Sequence, residues 1–503
     1  MITHKDPLRS HGIRHFHETQ GLPDEEDNGG RVGLVYGDGE SPYEYTVRVA
    51  ENEFQGRLTG WVEYEGGRFP LYETPKKPDG KPRASFTGDE SYPCVAKSGR
   101  EITVGFDVFS EVGSALSGRL DMGLDADKTS DIPFLDLYER LLFDCLRKAY
   151  SKAGVPLIRK ALWPDAAPYA VCLTHDVDEV RKTYQHISGP IKYALIGQFG
   201  KSIKLIANSI SDLTHGRNPY WTFEELIRLE EELGVKSSLY FLEEKGKVNP
   251  LHPKSVFLTA RRYEFKNPKI TAIIKRLDAG GWDIGLHGSY YSYNNKELLK
   301  AEKEKLEAVL GHQVTGTRQH HLNLKIPETW RSHEDAGLQY DCTLGYKDRA
   351  GFRWGTCLPF NPYDQIQNMP INLLEIPTTL MDTPLFYAKN NPQQTCDRTL
   401  ETVKQTGGVL TLLWHHTVFN DQEFPGWPQR YQKIIQQTRK DKAWVTNGRE
   451  VAGWWARRRS AELSVEFTGG KPIISCQVAG GLKLETFSRD VEQNMEPLGE
   501  RNG

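Results

Sequence analysis

The chain has 503 residues, of which 38% are hydrophobic, 26% charged and 11% aromatic, and its formal net charge is −3. This length and composition predict two or three globular domains and exclude wholesale disorder. The small negative charge argues against a nucleic-acid-binding function. The first residues lack the apolar core of a signal peptide, and no run of about 18 apolar residues predicts a membrane span.

The seven cysteines are scattered along the chain and include no Cys-x-x-Cys pair. An odd, dispersed set is typical of reduced thiols, and not of a disulfide framework or a thiolate zinc site. These features predict a cytoplasmic protein. Nothing in the sequence indicates an oligomeric state.

Segments of alternating apolar and polar residues predict β-strands in the first part of the chain. They lie at 45–50, 58–64 and 102–108. The periodicity changes to that of a helix over 131–153. Residues 1–45 are polar and predict a flexible leader or an irregular edge. Together, these features predict an N-terminal α+β accessory domain over residues 1–165.

From residue 166 onward, apolar strands alternate with amphipathic helices. The predicted strands lie at 169–173, 237–242, 282–287, 373–377 and 408–415. This alternation predicts an α/β fold with a parallel sheet, which is either open or closed into a barrel. We expect a catalytic domain over 166–458, and a short C-terminal β extension and tail over 459–503.

An insertion interrupts the alternation after the first of these strands, at about residues 181–218. It contains two helix candidates, at 191–199 and 203–210. Their moderate amphipathicity favours a lid or a packing element over a membrane anchor.

Two carboxylates follow the first of these strands directly, in the segment Thr174-His-Asp-Val-Asp178. Acidic residues at the end of a buried strand are costly unless they bind a metal or take part in a reaction. The alternative is a turn or helix-capping role, which aspartate often has after a strand. We interpret Asp176 and Asp178 as part of a hydrolytic metal site.

Three further polar clusters follow predicted strand ends, at 285–292, 315–321 and 414–416. In a β/α barrel the C-terminal strand ends share one face, so these clusters would converge. One carboxylate and two imidazoles can hold a catalytic zinc ion, and a second carboxylate can act as general base. A histidine opposite could protonate the leaving group, and an arginine could keep the base ionised. The clusters therefore predict metal-assisted hydrolysis of an amide or ester.

The same clusters resemble the motifs of the polysaccharide deacetylase superfamily (carbohydrate esterase family four) over about residues 168–455. Thr174-His-Asp-Val-Asp178 resembles the first motif, in its Asp-Val-Asp version. Leu286-His-Gly-Ser-Tyr resembles the second motif, Arg318-Gln-His320 the third, and Leu412-Leu-Trp-His415 the last. Tyr340-Asp-Cys-Thr-Leu-Gly-Tyr346 is similar to a pattern in a bacterial subgroup that carries an additional N-terminal domain.

The resemblance implies a distorted (β/α)7-type barrel that removes acetyl groups from an N- or O-acetylated sugar or polysaccharide precursor. It casts Asp176 as general base, Arg318 as the residue that orients this base, and His415 as general acid. Asp178 and His287 become ligands of a divalent metal, with zinc as the default for such donors. A carbohydrate substrate is the implied partner.

One position departs from the family's pattern. The second motif of the family has His-x-x-x-His, but the residue four positions after His287 is Tyr291. We expect His320 to supply the third metal ligand, with His321 as the alternative. The phenol of Tyr291 could instead be a weaker ligand or a hydrogen-bond donor to substrate.

The remaining candidate residues are assigned to substrate binding. They are Tyr291, His321, Trp414 and His416. Because neighbouring residues on a strand face opposite sides, we favour His415 as the residue that faces the site, with His416 buried against a loop or reaching the rim. We expect His175 to be structural. Two other hypotheses stay open: a hydrolase of non-sugar amides or cyclic imides, and a carbohydrate-binding protein on a degenerate fold.

Overall fold

A computed structural model describes most of the chain, and its largest elements are two β-sheets of seven and nine strands. The described residues are 4–120, 126–195, 197–244, 263–387, 391–468, 471–477, 482–488 and 494–496. Residue 196 of the first predicted insertion helix and residues 497–503 of the predicted tail lie outside them.

The seven-stranded sheet lies in the N-terminal part of the chain. In spatial order its strands are Val32–Tyr36, Tyr45–Val49, Glu101–Val104, Ser91–Ser98, Lys81–Thr87, Gly60–Tyr64 and Gly67–Leu71. The first three are parallel to one another, and the remaining pairs are antiparallel. The amphipathic helix Phe134–Ala153 packs on this sheet with Leu141 and Leu142 fully buried. The predicted strands and helix are therefore present, while the boundary near residue 165 stays a prediction.

A helix occupies Pro7–Gln20, where the sequence predicts a flexible leader or an irregular edge. Asp6 caps its N-terminus through its side chain, and Gly21 ends it with a left-handed φ of 63°. Two of the residues on its buried face are His11 and His15, so the apolar periodicity of the segment is weak. The prediction was wrong because it relied on that periodicity and not on the two caps.

The nine-stranded sheet carries the predicted site residues. In spatial order its strands are Leu374–Glu375, Tyr340–Asp341, Gly316–Gln319, Asp283–Gly288, Ser238–Phe241, Ala170–Val177, Val409–Leu413 and Leu380–Met381, with Trp444–Thr446 also paired to Ala170–Val177. All of its strand pairs are parallel. Since parallel strands end at the same edge, the polar residues after them are brought to one face of the sheet.

One continuous segment, residues 374–381, joins the two ends of this sheet. It pairs first with the strand Tyr340–Asp341 and then with the strand Val409–Leu413. Between these pairings, the backbone N–H of Thr379 donates to the carbonyl of Thr411. The sheet therefore curls into a circle of seven strand segments, with Trp444–Thr446 beside the first strand. This confirms the predicted fold class, a distorted (β/α)7-type barrel.

Helices follow the barrel strands and cover them from outside. They are Phe223–Leu233, Pro268–Ala279, Lys296–Leu310, Glu328–Asp335, Pro392–Thr406, Trp427–Lys440 and Gly448–Ser460. Pro268–Ala279 is representative: Asn267 caps it, and Ile270, Ile273, Ile274 and Leu277 form its buried stripe at helical spacing. Burial of such stripes against the strands makes the barrel wall.

The insertion consists of two helices, Gln185–Leu195 and Phe199–His215, with a left-handed Gly197 between them. The C-terminal strand Glu462–Thr468 pairs with Lys471–Gln477 on one side and with Glu25–Asp27 on the other. The C-terminal extension thus shares its sheet with the N-terminal part of the chain. Among the described residues, no helix has the length and apolar character that spanning a membrane requires.

Candidate functional site

A cavity of about 790 Å³ opens at the C-terminal ends of the barrel strands. Among the predicted site residues, those in its lining are Asp176, Asp178, His287, His320, His321, His415 and His416. They come from four places in the sequence that only the barrel brings together. The expectation that the polar clusters converge is therefore met for these residues.

Asp178, His287 and His320 form a compact group of metal-ligand type, with one ligand atom from each residue within 4.8 Å of the others. The Nε2 atom of His287 lies 3.1 Å from Asp178 Oδ1, and that of His320 lies 3.8 Å from Asp178 Oδ2. His320 Nε2 is buried and has no hydrogen-bond partner among the residues that the structure describes. One carboxylate and two imidazoles suit zinc and other first-row divalent ions, so these residues fit a metal.

Hydrogen bonds at the opposite ring nitrogen orient both histidines of this group. His287 donates from Nδ1 to the Arg318 carbonyl at 2.8 Å, and His320 donates from Nδ1 to Glu244 Oε2 at 3.1 Å. A donor at Nδ1 leaves Nε2 as the atom that can bind a metal. Glu244 was not predicted, although it lies shortly after the end of the strand Ser238–Phe241.

Asp176 and Arg318 form a buried ion pair next to the group. Asp176 Oδ1 accepts from Arg318 Nη1 at 2.8 Å, and Asp176 Oδ2 lies 3.7 Å from His287 Nε2. Arg318 also donates to the Cys342 carbonyl and to Thr378 Oγ1, which fixes its plane. Burial alone would raise the pKa of the Asp176 carboxyl, but the charges of Arg318, His287 and His415 together outweigh burial and the pKa is lowered. Asp176 is therefore a carboxylate at neutral pH.

His415 stands across the group from Arg318 and is held by Asp382. Its Nδ1 donates to Asp382 Oδ1 at 2.9 Å, its backbone N–H donates to Asp382 Oδ2 at 2.7 Å, and its Nε2 lies 3.7 Å from Asp178 Oδ2. Burial would lower the pKa of His415, but Asp382 raises it to about 10. Asp382 was not predicted, and it too directly follows a strand, Leu380–Met381.

His416 lines the cavity beside His415. The strand ends at Leu413, so the alternation of a strand does not apply to His415 and His416, and both line the cavity. The ring of His416 stacks on Phe223 at 4.9 Å between centroids, and its Nδ1 lies 3.3 Å from the carbonyl of Asp176. Burial lowers the pKa of His416 to about 4, so this imidazole is neutral where His415 is charged.

Two residues predicted to bind substrate lie away from the cavity lining. Trp414 is fully buried and donates from Nε1 to the Trp427 carbonyl at 3.3 Å, so it is a core residue. Tyr291 is 49% exposed and packs edge-on against Tyr290. The structure therefore does not bring Trp414 or Tyr291 to the position that their predicted contact with substrate requires.

His321 and His175 complete the set of histidines considered from the sequence. His321 lines the cavity with its ring 4.3 Å from that of His320, but it is not part of the ligand group. His175 is fully buried and bonds Glu230 Oε1 at 2.9 Å and the Trp414 carbonyl at 2.6 Å. It therefore has the structural position that was expected.

Comparison with known proteins gives similarities only among solved structures, since no family model and no curated protein matches the sequence. A protein assigned as a polysaccharide deacetylase from Mycobacterium smegmatis is 17% identical over 59% of this chain and 93% of its own, with a TM-score of 0.39. A second protein assigned as a polysaccharide deacetylase, from Pseudomonas aeruginosa PAO1, is 15% identical over 59% of this chain and 94% of its own, with a TM-score of 0.39. The Puue allantoinase is 15% identical over 59% of this chain and 93% of its own, also with a TM-score of 0.39.

Polysaccharide deacetylases are thus among the structures that this chain resembles. The motifs in its sequence predict that resemblance. At these identities and TM-scores the similarity says nothing about substrate or reaction. An argument about either must come from the residues of the cavity.

Proposed function

We propose that this protein is a metal-dependent hydrolase that removes an acetyl group from an N- or O-acetylated sugar or polysaccharide precursor. The observation that carries the proposal is the group Asp178, His287 and His320, whose ligand atoms lie within 4.8 Å of one another in the cavity. Three protein ligands are the usual number at catalytic zinc sites, where a further position stays open. The carboxylate Asp176 and the cationic His415 flank this group.

A divalent ion held there would supply a Lewis acid for the acetyl carbonyl and for water. Asp176, held ionised by Arg318, takes a proton from water as the water oxygen bonds to the acetyl carbon. As the bond from this carbon to nitrogen or oxygen breaks, His415 donates its Nε2 proton to the leaving atom. The products are acetate and a free amine or hydroxyl group. Asp382 keeps His415 protonated and points its Nε2 towards the cavity.

The shape and lining of the cavity support a sugar-sized substrate. A volume of about 790 Å³ lies in the range of small-molecule sites. Tyr387 and Trp427 contribute aromatic side chains to the lining, and Lys347 and Glu179 contribute polar groups. Aromatic rings with a few polar groups around them suit the apolar faces and hydroxyl groups of a sugar ring.

All of the proposed catalytic and metal-binding residues lie within residues 166–458, which we propose as the catalytic domain. The N-terminal part contacts it through Asp136, whose carboxylate accepts from the backbone N–H of Cys357 and from Thr356 Oγ1. We propose residues 1–165 as an accessory domain and residues 459–503 as an extension that ties the two ends of the chain together.

The test is acetate release from a panel of N- and O-acetylated sugars, with cyclic imides included. We expect acetate release that a chelator abolishes and that added Zn²⁺ restores. The variant Asp176→Asn should lose this activity, while Asp397→Asn, which changes an exposed carboxylate away from the cavity, should keep it. Full activity of Asp176→Asn would contradict the mechanism, and ring opening of an imide without acetate release would reassign the substrate.

A further inference from the structure

The second helix of the insertion, Phe199–His215, has its apolar face turned outward. Large apolar side chains recur at spacings of four and three residues, which places them on one face. They are Phe199, Ile203, Ile206, Ile210 and Leu213, with exposed fractions of 65%, 68%, 46%, 59% and 67%. The buried side of the same helix is mostly polar, with Ser202, Ser209 and Asp212 beside Leu205. A helix that packs within a globular protein has the opposite arrangement.

The first helix of the insertion, Gln185–Leu195, adds a second exposed stripe. Ile187, Ile191 and Leu195 recur every four residues and are 70%, 53% and 82% exposed. Eight of the fourteen exposed large hydrophobic side chains of the described residues therefore lie on these two helices. We call residues 185–195 and 197–215 together the apolar hairpin. Exposed apolar surface concentrated in this way is typical of a docking surface.

The charge around the apolar hairpin is strongly positive. Residues 181–218 contain six lysines and arginines and one acidic residue, Asp212, so their formal charge is 6 − 1 = +5, against −3 for the whole chain. Asp212 is buried, whereas Lys192, Lys201 and Lys204 are exposed. Apolar side chains flanked by exposed lysines are the pattern of helices that lie in the interface of an anionic membrane. A second copy of the chain would bring the same positive charge and is disfavoured by repulsion.

We propose that the apolar hairpin docks on an anionic lipid surface. The two helices would lie in the plane of the interface, with their exposed stripes among the lipid chains and their lysines at the headgroups. Ile191 and Leu195 also line the cavity, so docking places the mouth of the cavity at the lipid headgroups. This proposal does not depend on the reaction that the cavity carries out.

Vesicle flotation of the full-length protein tests the proposal. The protein should float with vesicles that mix phosphatidylcholine and phosphatidylglycerol, and binding should weaken as salt is added. The variant Ile203→Ser/Ile206→Ser/Ile210→Ser should lose at least about tenfold in partition coefficient. Ile366→Ser is the matched control, because Ile366 is also highly exposed but lies outside the hairpin. It should bind as the wild type does.

A second pair of variants separates the charge from the apolar contact. Lys201→Glu/Lys204→Glu should remove the preference for anionic vesicles, while Lys275→Glu on the exposed side of Pro268–Ala279 should not. Failure of the wild type to float, or equal flotation of the triple serine variant, would overturn the proposal. So would a wild-type dimer in solution that the triple serine variant dissociates, because that result would assign the face to a second copy.

Discussion

Glu244 is expected to set the metal affinity of the site without touching the metal, and Glu244→Gln isolates this effect. The carboxylate accepts from His320 Nδ1 at 3.1 Å, and both side chains are almost fully buried. Glutamine keeps an acceptor oxygen for the imidazole but removes the negative charge that makes it a stronger ligand. The backbone N–H of Tyr290, which donates to both carboxylate oxygens of Glu244, can keep its bond to the remaining oxygen.

Removal of such a hydrogen-bonded carboxylate typically weakens metal binding by about 10- to 100-fold, or about 1.4–2.7 kcal/mol. We expect the metal affinity of Glu244→Gln to fall within this range. The amide oxygen of glutamine still accepts the hydrogen bond from His320, but the negative charge of the carboxylate is removed. Competition with a chromophoric zinc chelator measures the affinity, and thermal unfolding of the metal-free proteins measures stability in parallel.

Glu243→Gln is the matched control, because Glu243 is the neighbouring residue and is also buried. Its carboxylate bonds the backbone N–H of Phe265 and the ammonium group of Lys305, and it makes no bond to His320. The zinc affinity of the Glu243→Gln variant should stay within about twofold of wild type, because this substitution leaves the hydrogen bond to His320 in place. Unchanged affinity in Glu244→Gln, or an equal loss in both variants, would refute the reasoning.

Three further predictions follow from the same contacts. Arg318→Met leaves the Asp176 carboxylate buried without its partner, so urea denaturation at neutral pH should show a loss of about 3–5 kcal/mol, and an unchanged midpoint would contradict the ion pair's role. Asp382 raises the pKa of His415, so Asp382→Asn should lower it and move the alkaline limb of the kcat profile to lower pH; an unmoved limb would argue against His415 as the acid. Tyr291→Phe should leave zinc content unchanged, because the phenol is half exposed and outside the cavity, and a loss of zinc would make it a ligand.

The sequence located much of the site because its chemistry is concentrated at strand ends. Asp176 lies near the end of the strand Ala170–Val177 and Asp178 directly follows it, and His287 lies near the end of another strand, so the barrel brings them to one face. The choice of His320 over Tyr291 as third ligand came from the same reasoning, and the structure places His320 in the ligand group.

Glu244 and Asp382 show where that reasoning was incomplete. Asp382 follows a strand of only two residues, Leu380–Met381, which is too short to be recognised from the sequence. The strand before Glu244 was predicted, but no role was assigned to the acidic residues after it. The alternation argument applied to His415 and His416 did not hold, because the strand before them was predicted to continue two residues beyond Leu413. Positions near the ends of elements are the hardest to predict, and here they carry the functional residues.

The insertion shows a different limit. Amphipathic spacing predicts that a helix has two faces, but it does not say which face meets the protein. A lid or packing element was expected, and the sequence did not say which side would face inward. In the structure the polar side packs inward and Ile203 and Ile210 face outward, and only the exposed fractions reveal this.

Anomalous X-ray diffraction at the zinc edge, from crystals of the protein supplied with Zn²⁺, tests the central claim most directly. We predict one strong peak per chain at bonding distance, about 2.0–2.2 Å, from Asp178, His287 Nε2 and His320 Nε2. The account would be contradicted if no peak appeared in the cavity. It would also be contradicted if the metal were bound by other residues and not by Asp178, His287 and His320.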